Sequence, residues 1–595
     1  MTQGSRRRIS SLVGRAVTGA LAAALMMGAA GAYSSSPAMA APANTVSHVI
    51  ANLGADASHM SLTWYSTLEG SPTVRLDDGT VVTGTQGPAE ASNGFMPEPH
   101  YWNKVTLPNL KPSTTYKVVI ANADSAITPY TFTTVDPADF TFGVAGDPQI
   151  GSGDSSDAGV ARHGASWTST VALMRSKGAQ FVAGVGDQID NGNFEDTEVG
   201  STAQKENQYA AFTSGLNQNN VLVPYTAVMG NHESDHGGDG DRLNGPGRAI
   251  FSYHYTWPNP MGQLVGGVTL VNYYYTVNNV LYVVLDDAQY PQTKNPTTGK
   301  WESDLVAAAE FVKAYDQTLA AAIKASPNYD WLIVQTHKSQ MSDGPHWNDS
   351  DIRAYSLAGF EDTMTKYGVD VVLTGHDHEY TRTFPMTSEG GPLVDGGVSV
   401  DQNNKTDKLV NPQGTVYLVL NSASGSKFYP LHEPNKATTK VSDQSFVPQY
   451  TMVNVSTSGL RFTTVEQGTE RVVDAFSIEK SAATTPEPSP TASIPAPSPS
   501  PSAPSPSPSA SPSQSATPSP SPTPSVNSSP APAPSSPATP SSGTSVVATT
   551  GGSVAESSGS IYGLVGLSLG FVALLVIAGL ARARRRGEVQ SATSR

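Results

Sequence analysis

The chain of 595 residues contains no cysteine. This absence excludes disulfide bonds, zinc–thiolate sites and a thiol nucleophile, so any metal ion must be held by oxygen and nitrogen ligands. Charged residues are scarce, at 14% of the chain, and acidic residues outnumber basic ones to give a formal net charge of -15. Because nucleic-acid backbones are held by basic surface, we expect no nucleic-acid binding.

Residues 1–40 have the layout of a secretory signal peptide. Arg6-Arg7-Arg8 precedes a stretch rich in alanine, leucine and methionine, and Ala38-Met39-Ala40 supplies small residues at the cleavage position. The run at 5–9 is also similar to a twin-arginine signal, and an ordinary signal with three arginines is the alternative. Either interpretation predicts an exported protein.

The other end of the chain has the composition of a tethered ectodomain. Residues 483–560 are dominated by proline, serine, alanine and threonine, which predicts a disordered stalk. Residues 561–581 form an uncharged stretch long enough for one transmembrane helix, and the basic tail at 582–595 is expected in the cytoplasm. The sequence therefore predicts a cell-surface protein anchored in the plasma membrane.

Two patterns occupy the middle of the chain. Residues 44–137 alternate apolar and polar positions in short runs, which predicts an all-β sandwich. The segment LPNLKPSTTYKVVIAN at 107–122 resembles part of a fibronectin type III domain, and this resemblance implies an immunoglobulin/fibronectin-like sandwich with Leu110 and Tyr116 in its core. Residues 140–480 alternate strand-like runs with helical spacing and return to strands near the end. The predicted fold class is therefore α/β, a sandwich of two mixed sheets flanked by helices, preceded by the all-β sandwich and followed by one transmembrane helix.

Five short polar blocks each follow an apolar, β-branched run. They are GDPQ at 146–149, GDQID at 186–190, GNHE at 230–233, the single His337, and GHDH at 375–378. Their carboxylates, amide and imidazoles would lie at strand ends, where α/β sheets build their sites.

These residue types are the ligands of hard or borderline divalent cations. A pair of cations about 3.5–4 Å apart needs a carboxylate that bridges them, and Asp187 is the candidate bridge. A single Gly-Asp pair is more often a turn. The set of five blocks, rather than any one of them, indicates a metal site.

The run GHDHEYTR at 375–382 is similar to the GHxHxYxR motif of purple acid phosphatases. The chain thus resembles the calcineurin-like metallophosphoesterase superfamily, and within it the purple acid phosphatase type. The resemblance implies a first metal ion on Asp147 and His378, a second on Asn231, His337 and His376, and Asp187 between them.

The resemblance also implies a reaction. The expected activity is hydrolysis of small phosphate monoesters by in-line attack of a hydroxide held between the two cations. His232 would hydrogen-bond the substrate phosphate, and His346, nine residues after His337, would contact phosphate or protonate the leaving group. Both histidines are candidate catalytic residues.

Two positions depart from the family pattern. Asp190 stands where purple enzymes carry the tyrosine that gives them their colour, and Gln149 stands where the wider superfamily has a histidine. Either Gln149 or Asp190 ligates the first metal through oxygen, or that site is weak and open. The identity of the metals stays open among Fe, Mn, Zn, Mg and Ca.

Two other functions are compatible with the same residues. One is a phosphodiesterase or nucleotidase that uses the same metal centre. The other, from a different class, is a stalked cell-surface binding protein with a decayed phosphatase domain, which the gaps at the first metal would allow.

Overall fold

The computed structural model describes residues 45–89, 100–122, 125–126, 129–190, 200–234, 246–388, 394–395, 407–432 and 438–480. All of these residues lie in one unit of the chain, residues 1–491. The predicted signal peptide (1–40), stalk (483–560), membrane helix (561–581) and basic tail (582–595) all lie outside the described residues.

Six helices are present in the described part of the chain. They are α1 (Asp157–Ser176), α2 (Gly200–Leu216), α3 (Pro246–His254), α4 (Leu305–Ala325), α5 (Ser350–Leu357) and α6 (Phe360–Tyr367). Helices α1 and α4 begin at capping side chains: Ser156 accepts a hydrogen bond from the Gly159 amide, and Asp304 accepts from the amides of Val306 and Ala307. Such caps satisfy amide groups that have no partner within the helix.

Strands make up most of the regular structure. The first fourteen are β1 (Val46–Leu53), β2 (Met60–Ser66), β3 (Pro72–Leu76), β4 (Val81–Thr83), β5 (Thr85–Pro88), β6 (Tyr101–Leu107), β7 (Thr115–Asn122), β8 (Ser125–Ala126), β9 (Tyr130–Thr133), β10 (Phe140–Ala145), β11 (Val182–Gly184), β12 (Asn217–Gln218), β13 (Val221–Leu222) and β14 (Tyr225–Thr226). The later ones are β15 (Leu264–Val265), β16 (Val268–Thr269), β17 (Tyr273–Val277), β18 (Val280–Val284), β19 (Gln292–Lys294), β20 (Trp301–Ser303), β21 (Trp331–Gln335), β22 (Val371–Thr374), β23 (Tyr380–Thr383), β24 (Met386–Thr387), β25 (Val394–Asp395), β26 (Asp407–Val410), β27 (Val416–Val419), β28 (Thr439–Asp443), β29 (Gln449–Ser456), β30 (Gly459–Glu466) and β31 (Val472–Glu479).

Two large mixed sheets carry the predicted site residues. The first has eleven strands in the order β26-β31-β30-β29-β10-β11-β14-β1-β2-β6-β5, and β10, β11 and β14 run parallel at its centre. The second has seven strands in the order β17-β18-β21-β22-β27-β23-β28, of which β18, β21, β22 and β27 are parallel. A further sheet joins β12-β13-β9-β7-β3-β4, with β8 paired to β7. Three two-stranded sheets, β15-β16, β19-β20 and β24-β25, complete the set among the described residues.

The two large sheets pack face to face through apolar side chains. Phe142 of β10 stacks on Phe181 at a ring-centroid distance of 5.0 Å, and Tyr282 of β18 meets Phe142 edge-on at 5.7 Å. All three rings are fully buried in one apolar cluster. Rings in these arrangements add a stabilising contact to the free energy of burial. The contact fixes the relative position of the strand ends of both sheets.

Helices cover parts of the outer faces. Trp167 of α1 stacks on Phe212 of α2 at 5.2 Å, in a cluster that includes Tyr225 of β14. Tyr315 of α4 and Tyr355 of α5 pack 6.1 Å apart in the cluster over the second sheet. Each helix therefore buries its apolar face against a sheet, as an amphipathic helix must.

The predicted fold class was wrong. The described residues form mixed sheets with few helices. Of the strands expected to make a separate N-terminal sandwich, β1, β2, β5 and β6 extend the eleven-stranded sheet, since Asn52 of β1 pairs in parallel with Tyr225 of β14, while β3, β4, β7, β8 and β9 lie in the further sheet. Leu110 is buried in the shared core, and Tyr116 packs against it and stacks on Phe132 at 5.6 Å. Short-range alternation predicts strands but does not say which distant strand they pair with.

The same prediction placed a transmembrane helix at 561–581, outside the described residues. Within the ranges that the structure describes, no helix combines the length and the apolar character needed to cross a membrane.

Arg382 of β23 joins the two large sheets by charge. Its Nε donates to Asp474 Oδ2 of β31 at 2.6 Å, its Nη2 donates to Asp407 Oδ2 of β26 at 2.7 Å, and its guanidinium lies 4.5 Å from the centre of the Phe476 ring. Arg382 is only 1% exposed. A buried charge of this kind is stable only while its partners stay in place.

We expect the Arg382→Met variant to lose about 3–5 kcal/mol of unfolding free energy, because the substitution leaves the buried Asp474 carboxylate without its cation. Urea unfolding of the full chain, followed by tryptophan fluorescence, measures the loss. Arg471 is the matched control, since it pairs with Asp443 and Glu466 but its side chain is 44% exposed. Arg471→Met should cost less than about 1 kcal/mol, and equal losses in the two variants would contradict this account.

Candidate metal centre

The residues predicted as metal ligands lie at the carboxyl ends of parallel strands. Asp147 follows β10 and Asp187 follows β11, while Asn231 lies beyond β14 in the same sheet. The two histidines of the second sheet follow neighbouring strands, His337 after β21 and His376 after β22. Because the two sheets pack face to face, their carboxyl ends meet at one edge, where α/β sheets form their sites.

One group of ligand atoms gathers around His337. Its Nε2 lies 2.8 Å from Asn231 Oδ1, 3.4 Å from Asp187 Oδ2 and 3.2 Å from His376 Nδ1. His376 Nδ1 in turn lies 2.9 Å from Asn231 Oδ1. The three residues predicted for the second metal are therefore in mutual contact, and the predicted bridge, Asp187, approaches them at His337.

A second group combines Asp147, Asp187 and His378, whose ligand atoms all lie within 4.8 Å of one another. His378 Nε2 is 3.7 Å from Asp147 Oδ1. All three side chains are buried. Asp187 belongs to this group and also to a group with His337 and His376, which is the position that a bridging carboxylate needs.

The donor atoms fit cations. His337 Nδ1 donates to the Val185 carbonyl at 2.9 Å, and His378 Nδ1 donates to the Lys427 carbonyl at 2.9 Å. When Nε2 carries no proton, each imidazole therefore turns the Nε2 lone pair toward carboxylate or amide oxygens. Lone pairs that face one another in a buried place need a positive charge between them, and the orienting bonds to carbonyls are typical of metal-ligating histidines.

The charges around His337 also favour a bound cation. Burial alone would lower the pKa of His337, but the carboxylates of Asp187, Asp147 and Asp287 outweigh burial and raise that pKa to about 10. Burial lowers the pKa of His378 to about 3, so this imidazole is neutral and can act as a ligand. The carboxylates around His337 thus favour a cation at the site, and His378 offers it a neutral nitrogen ligand.

Three glycines make room for the ligands. A Cβ on Gly375 would lie 2.1 Å from Asp147 Oδ2, one on Gly230 would lie 2.0 Å from Asp187 Oδ1, and one on Gly186 would lie 2.4 Å from His337 Nδ1. Gly186 also has a φ of +98°, which favours glycine. The carboxylates can approach the centre only because these positions carry no side chain.

The backbone of the site is strained. Five residues at the candidate site have positive φ: Asp147 (35°), Gln149 (33°), Asp187 (48°), His376 (71°) and His378 (46°). Such conformations cost on the order of 1–3 kcal/mol each for residues other than glycine. The surrounding sheets must hold them in place.

Gln149 and Asp190, the two departures from the family pattern, lie beside His232. Gln149 Nε2 is 3.1 Å from Asp190 Oδ1 and 2.7 Å from His232 Nε2, and His232 Nδ1 is 3.3 Å from Asp190 Oδ1. Burial raises the pKa of Asp190 to about 6. Asp190 belongs to neither ligand group found in the described residues. Gln149 Oε1 is buried and has no hydrogen-bond partner within those residues, so this oxygen is available to a ligand.

His232 and His346 border the ligand groups. The His232 amide donates to Asp187 Oδ1 at 3.0 Å. The His346 ring lies 5.0 Å from the His376 ring, its Nδ1 is 2.9 Å from Asp349 Oδ2, and its side chain is 28% exposed. His346 thus combines a position beside a ligand with access to solvent.

Sequence reasoning missed two positioning carboxylates. Glu233 accepts hydrogen bonds from the amides of Gly230, Asp187 and Ile189 at 2.8, 3.0 and 3.1 Å, so it ties two ligand loops together. Asp287 accepts from the amides of His337 and Lys338, both at 2.9 Å. Both residues carried a signal: Glu233 ends the GNHE block, and Asp287 closely follows the apolar strand β18, as Asp147 closely follows β10.

Tyr429 is a third residue that the sequence did not reveal. Its ring lies 4.9 Å from the His346 ring and 5.3 Å from the His378 ring. It follows no motif, and only the fold brings it to the site.

Comparison with known families gives the class of the protein. Residues 140–380 match the family model "Calcineurin-like phosphoesterase". Residues 46–134 match the model "Purple acid Phosphatase, N-terminal domain". The chain therefore carries a calcineurin-like phosphoesterase domain, and more particularly one preceded by a purple acid phosphatase N-terminal domain. The resemblance predicted from the motifs is confirmed. The matched domains support a metal-dependent phosphoester hydrolase and imply a dinuclear metal centre.

Individual relatives share parts of the chain. An uncharacterized protein of Mycobacterium tuberculosis is 26% identical over 219 residues, which cover 34% of this chain and 36% of that protein. An acid phosphatase of Aspergillus ficuum is 33% identical over 73 residues, 12% of this chain and 11% of the relative. The chain thus spans about a third of the length, or less, of these curated relatives. Among solved structures, a purple acid phosphatase from yellow lupin (Lupinus luteus) seeds shares the fold with a TM-score of 0.53 at 16% identity, over 73% of this chain and 75% of that one.

We expect Glu233→Ala to weaken metal binding by about 10–100-fold, as loss of an orienting partner does at other metal sites. The reason is that three buried amides lose their acceptor and the loops of Asp187 and Asn231 separate. Metal titration of the full chain, with metal content measured by mass spectrometry, checks the result. Glu233→Gln keeps one acceptor oxygen and should fall between the wild type and Glu233→Ala. Equal metal affinity in all three proteins would refute the positioning role.

Proposed function

We propose that the chain is an exported phosphoesterase with a dinuclear metal centre that hydrolyses phosphate monoesters. The observation that carries the proposal is the convergence of Asn231, His337 and His376 with Asp187, whose lone pairs meet at 2.8–3.4 Å. The match to phosphoesterase and purple acid phosphatase domains supports it. Export rests on the sequence of residues 1–40 alone.

Each ligand group has a role in this proposal. Asp147 and His378 would hold one cation, Asn231, His337 and His376 the other, and Asp187 would contact both. Bound cations of this kind supply a nucleophilic oxygen at neutral pH and neutralise charge on a phosphoryl group. Val185 and Lys427 keep His337 and His378 in the orientation and tautomer that this binding requires.

Two histidines would contact the substrate and supply a proton. The His232 side chain lies 3.8 Å from Asp187 Oδ2 and can donate a hydrogen bond to a substrate phosphate. His346 stands on the solvent side of His376 and can protonate a leaving alkoxide. Asp349 accepts from the His346 ring and raises its pKa against the lowering effect of burial, which keeps a proton on His346 for that transfer.

We expect Asn231→Ala to lower kcat/KM for p-nitrophenyl phosphate by at least about 100-fold, because one ligand of the second cation is lost and several kcal/mol of charge stabilisation go with it. The assay compares p-nitrophenyl phosphate with bis(p-nitrophenyl) phosphate across added Mn, Fe, Zn, Mg and Ca. Asn207→Ala, at an exposed position of α2, is the matched control and should behave as the wild type.

Two outcomes would overturn the proposal. Hydrolysis that persists unchanged in Asn231→Ala would exclude the two-cation centre as its source. A wild type that hydrolyses the diester and leaves the monoester untouched would replace the proposed activity with that of a phosphodiesterase.

A further inference from the structure

A groove of about 640 Å³ opens between the β19–β20 hairpin and helix α5. Its lining includes Tyr290, Trp301, Glu302, Asn348, Asp349 and Arg353. Its volume is within the range of about 300–1,000 Å³ that small-molecule sites occupy. Apart from Asp349, none of these lining residues has a role assigned above.

The inner end of the groove lies beside His346, which borders the metal centre. Asp349, which lines the groove, accepts from His346 Nδ1 at 2.9 Å, and the His346 ring lies 5.0 Å from the His376 ring. Tyr290, on the same lining, covers Lys338, whose Nζ is 3.6 Å from the centre of the tyrosine ring. Lys338 directly follows His337. A leaving group protonated by His346 would therefore be released next to a residue of this groove.

The outer end presents an aromatic surface. Trp301 is 36% exposed although it is a large apolar side chain. It pairs with Lys294 across the hairpin, and Lys294 Nζ lies 5.6 Å from the ring centre. An exposed tryptophan in a groove offers a flat face on which another ring can stack.

The charges of the lining limit what the groove can accept. Glu302, Asp349 and Asp351 line it, and Arg353 is the cation of the lining within the described residues. Asp349 pairs with His346 Nδ1 at 2.9 Å and Asp351 with Lys338 Nζ at 2.5 Å, which leaves Glu302 against Arg353. The lining therefore has no surplus of positive charge to hold a leaving group that carries further phosphates. A neutral group needs no such charge and can use the amide of Asn348.

We propose that this groove binds the organic part of the substrate and that its preferred occupant is a neutral aromatic group of nucleoside size stacked on Trp301. The substrate class is then the nucleoside monophosphates, in preference to phosphate esters of small aliphatic alcohols or of polyphosphorylated ones. This assignment rests on the proposed phosphomonoesterase activity.

The test compares adenosine 5′-monophosphate with glycerol 1-phosphate as substrates of the full metal-loaded chain. Trp301→Ala should lower the ratio of kcat/KM for the nucleotide over that for glycerol phosphate by about tenfold, the size of one lost base-stacking contact. The loss should fall mainly on KM. Trp301→Phe keeps a ring and should recover most of the ratio, whereas Trp347→Ala, an exposed tryptophan outside the lining (42% exposed), should leave the ratio as in the wild type.

Adenosine itself, titrated calorimetrically into the same proteins, separates the two proposals. If the wild type hydrolyses neither substrate but binds adenosine and loses that binding in Trp301→Ala, the proposed function fails and the groove assignment stands. If both substrates are hydrolysed and the ratio is the same in wild type and Trp301→Ala, the groove assignment fails. Absence of adenosine binding in the wild type also overturns it.

Discussion

Buried lone pairs that point at one another repel. This repulsion is the constraint under which the described residues around the candidate metal centre are arranged. Asn231 Oδ1 and Asp187 Oδ2 lie 2.8 and 3.4 Å from His337 Nε2 because both sheets place their ligands at one edge. A cation converts this mutual repulsion into shared attraction. The stability of the strand ends and the chemistry of the site thus depend on the same ion–ligand contacts.

The sheets supply what the loops lack. Five site residues with positive φ cannot be held by their local sequence, and the rings of Phe142, Phe181 and Tyr282 fix the two sheets that anchor these loops. Glu233 and Asp287 add hydrogen bonds to the loop amides themselves. The strained backbone conformations persist because rigid elements on both sides of the site determine its geometry.

Local patterns predicted much of the site and little of the sheet order. Polar residues after apolar runs indicated Asp147, Asp187, Asn231, His337 and His376, because strand ends meet wherever parallel strands are neighbours. The pairing of β1 with β14 joins residues 52 and 225, and no periodicity encodes a partner so distant. Tyr429 and the β19–β20 hairpin were missed for the same reason, since only tertiary packing brings them to the site. Glu233 was within reach, as it stands next to His232 in one motif.

The continuous eleven-stranded sheet also bears on how the chain folds. Strand β10 pairs with β29, in which Thr141 faces Asn454, and β1 joins the same sheet through β14. Contacts between residues so far apart in sequence form late in folding, since the loop between them must first be ordered. Strand β10 therefore has one unpaired edge until residues near 450 have been synthesised. Removal of the β1–β2–β6–β5 segment would leave β14 without its partner β1. Truncation near residue 134, where the match to the N-terminal domain ends, would expose the unpaired edge of β14 to other chains. It would not give an independent catalytic domain.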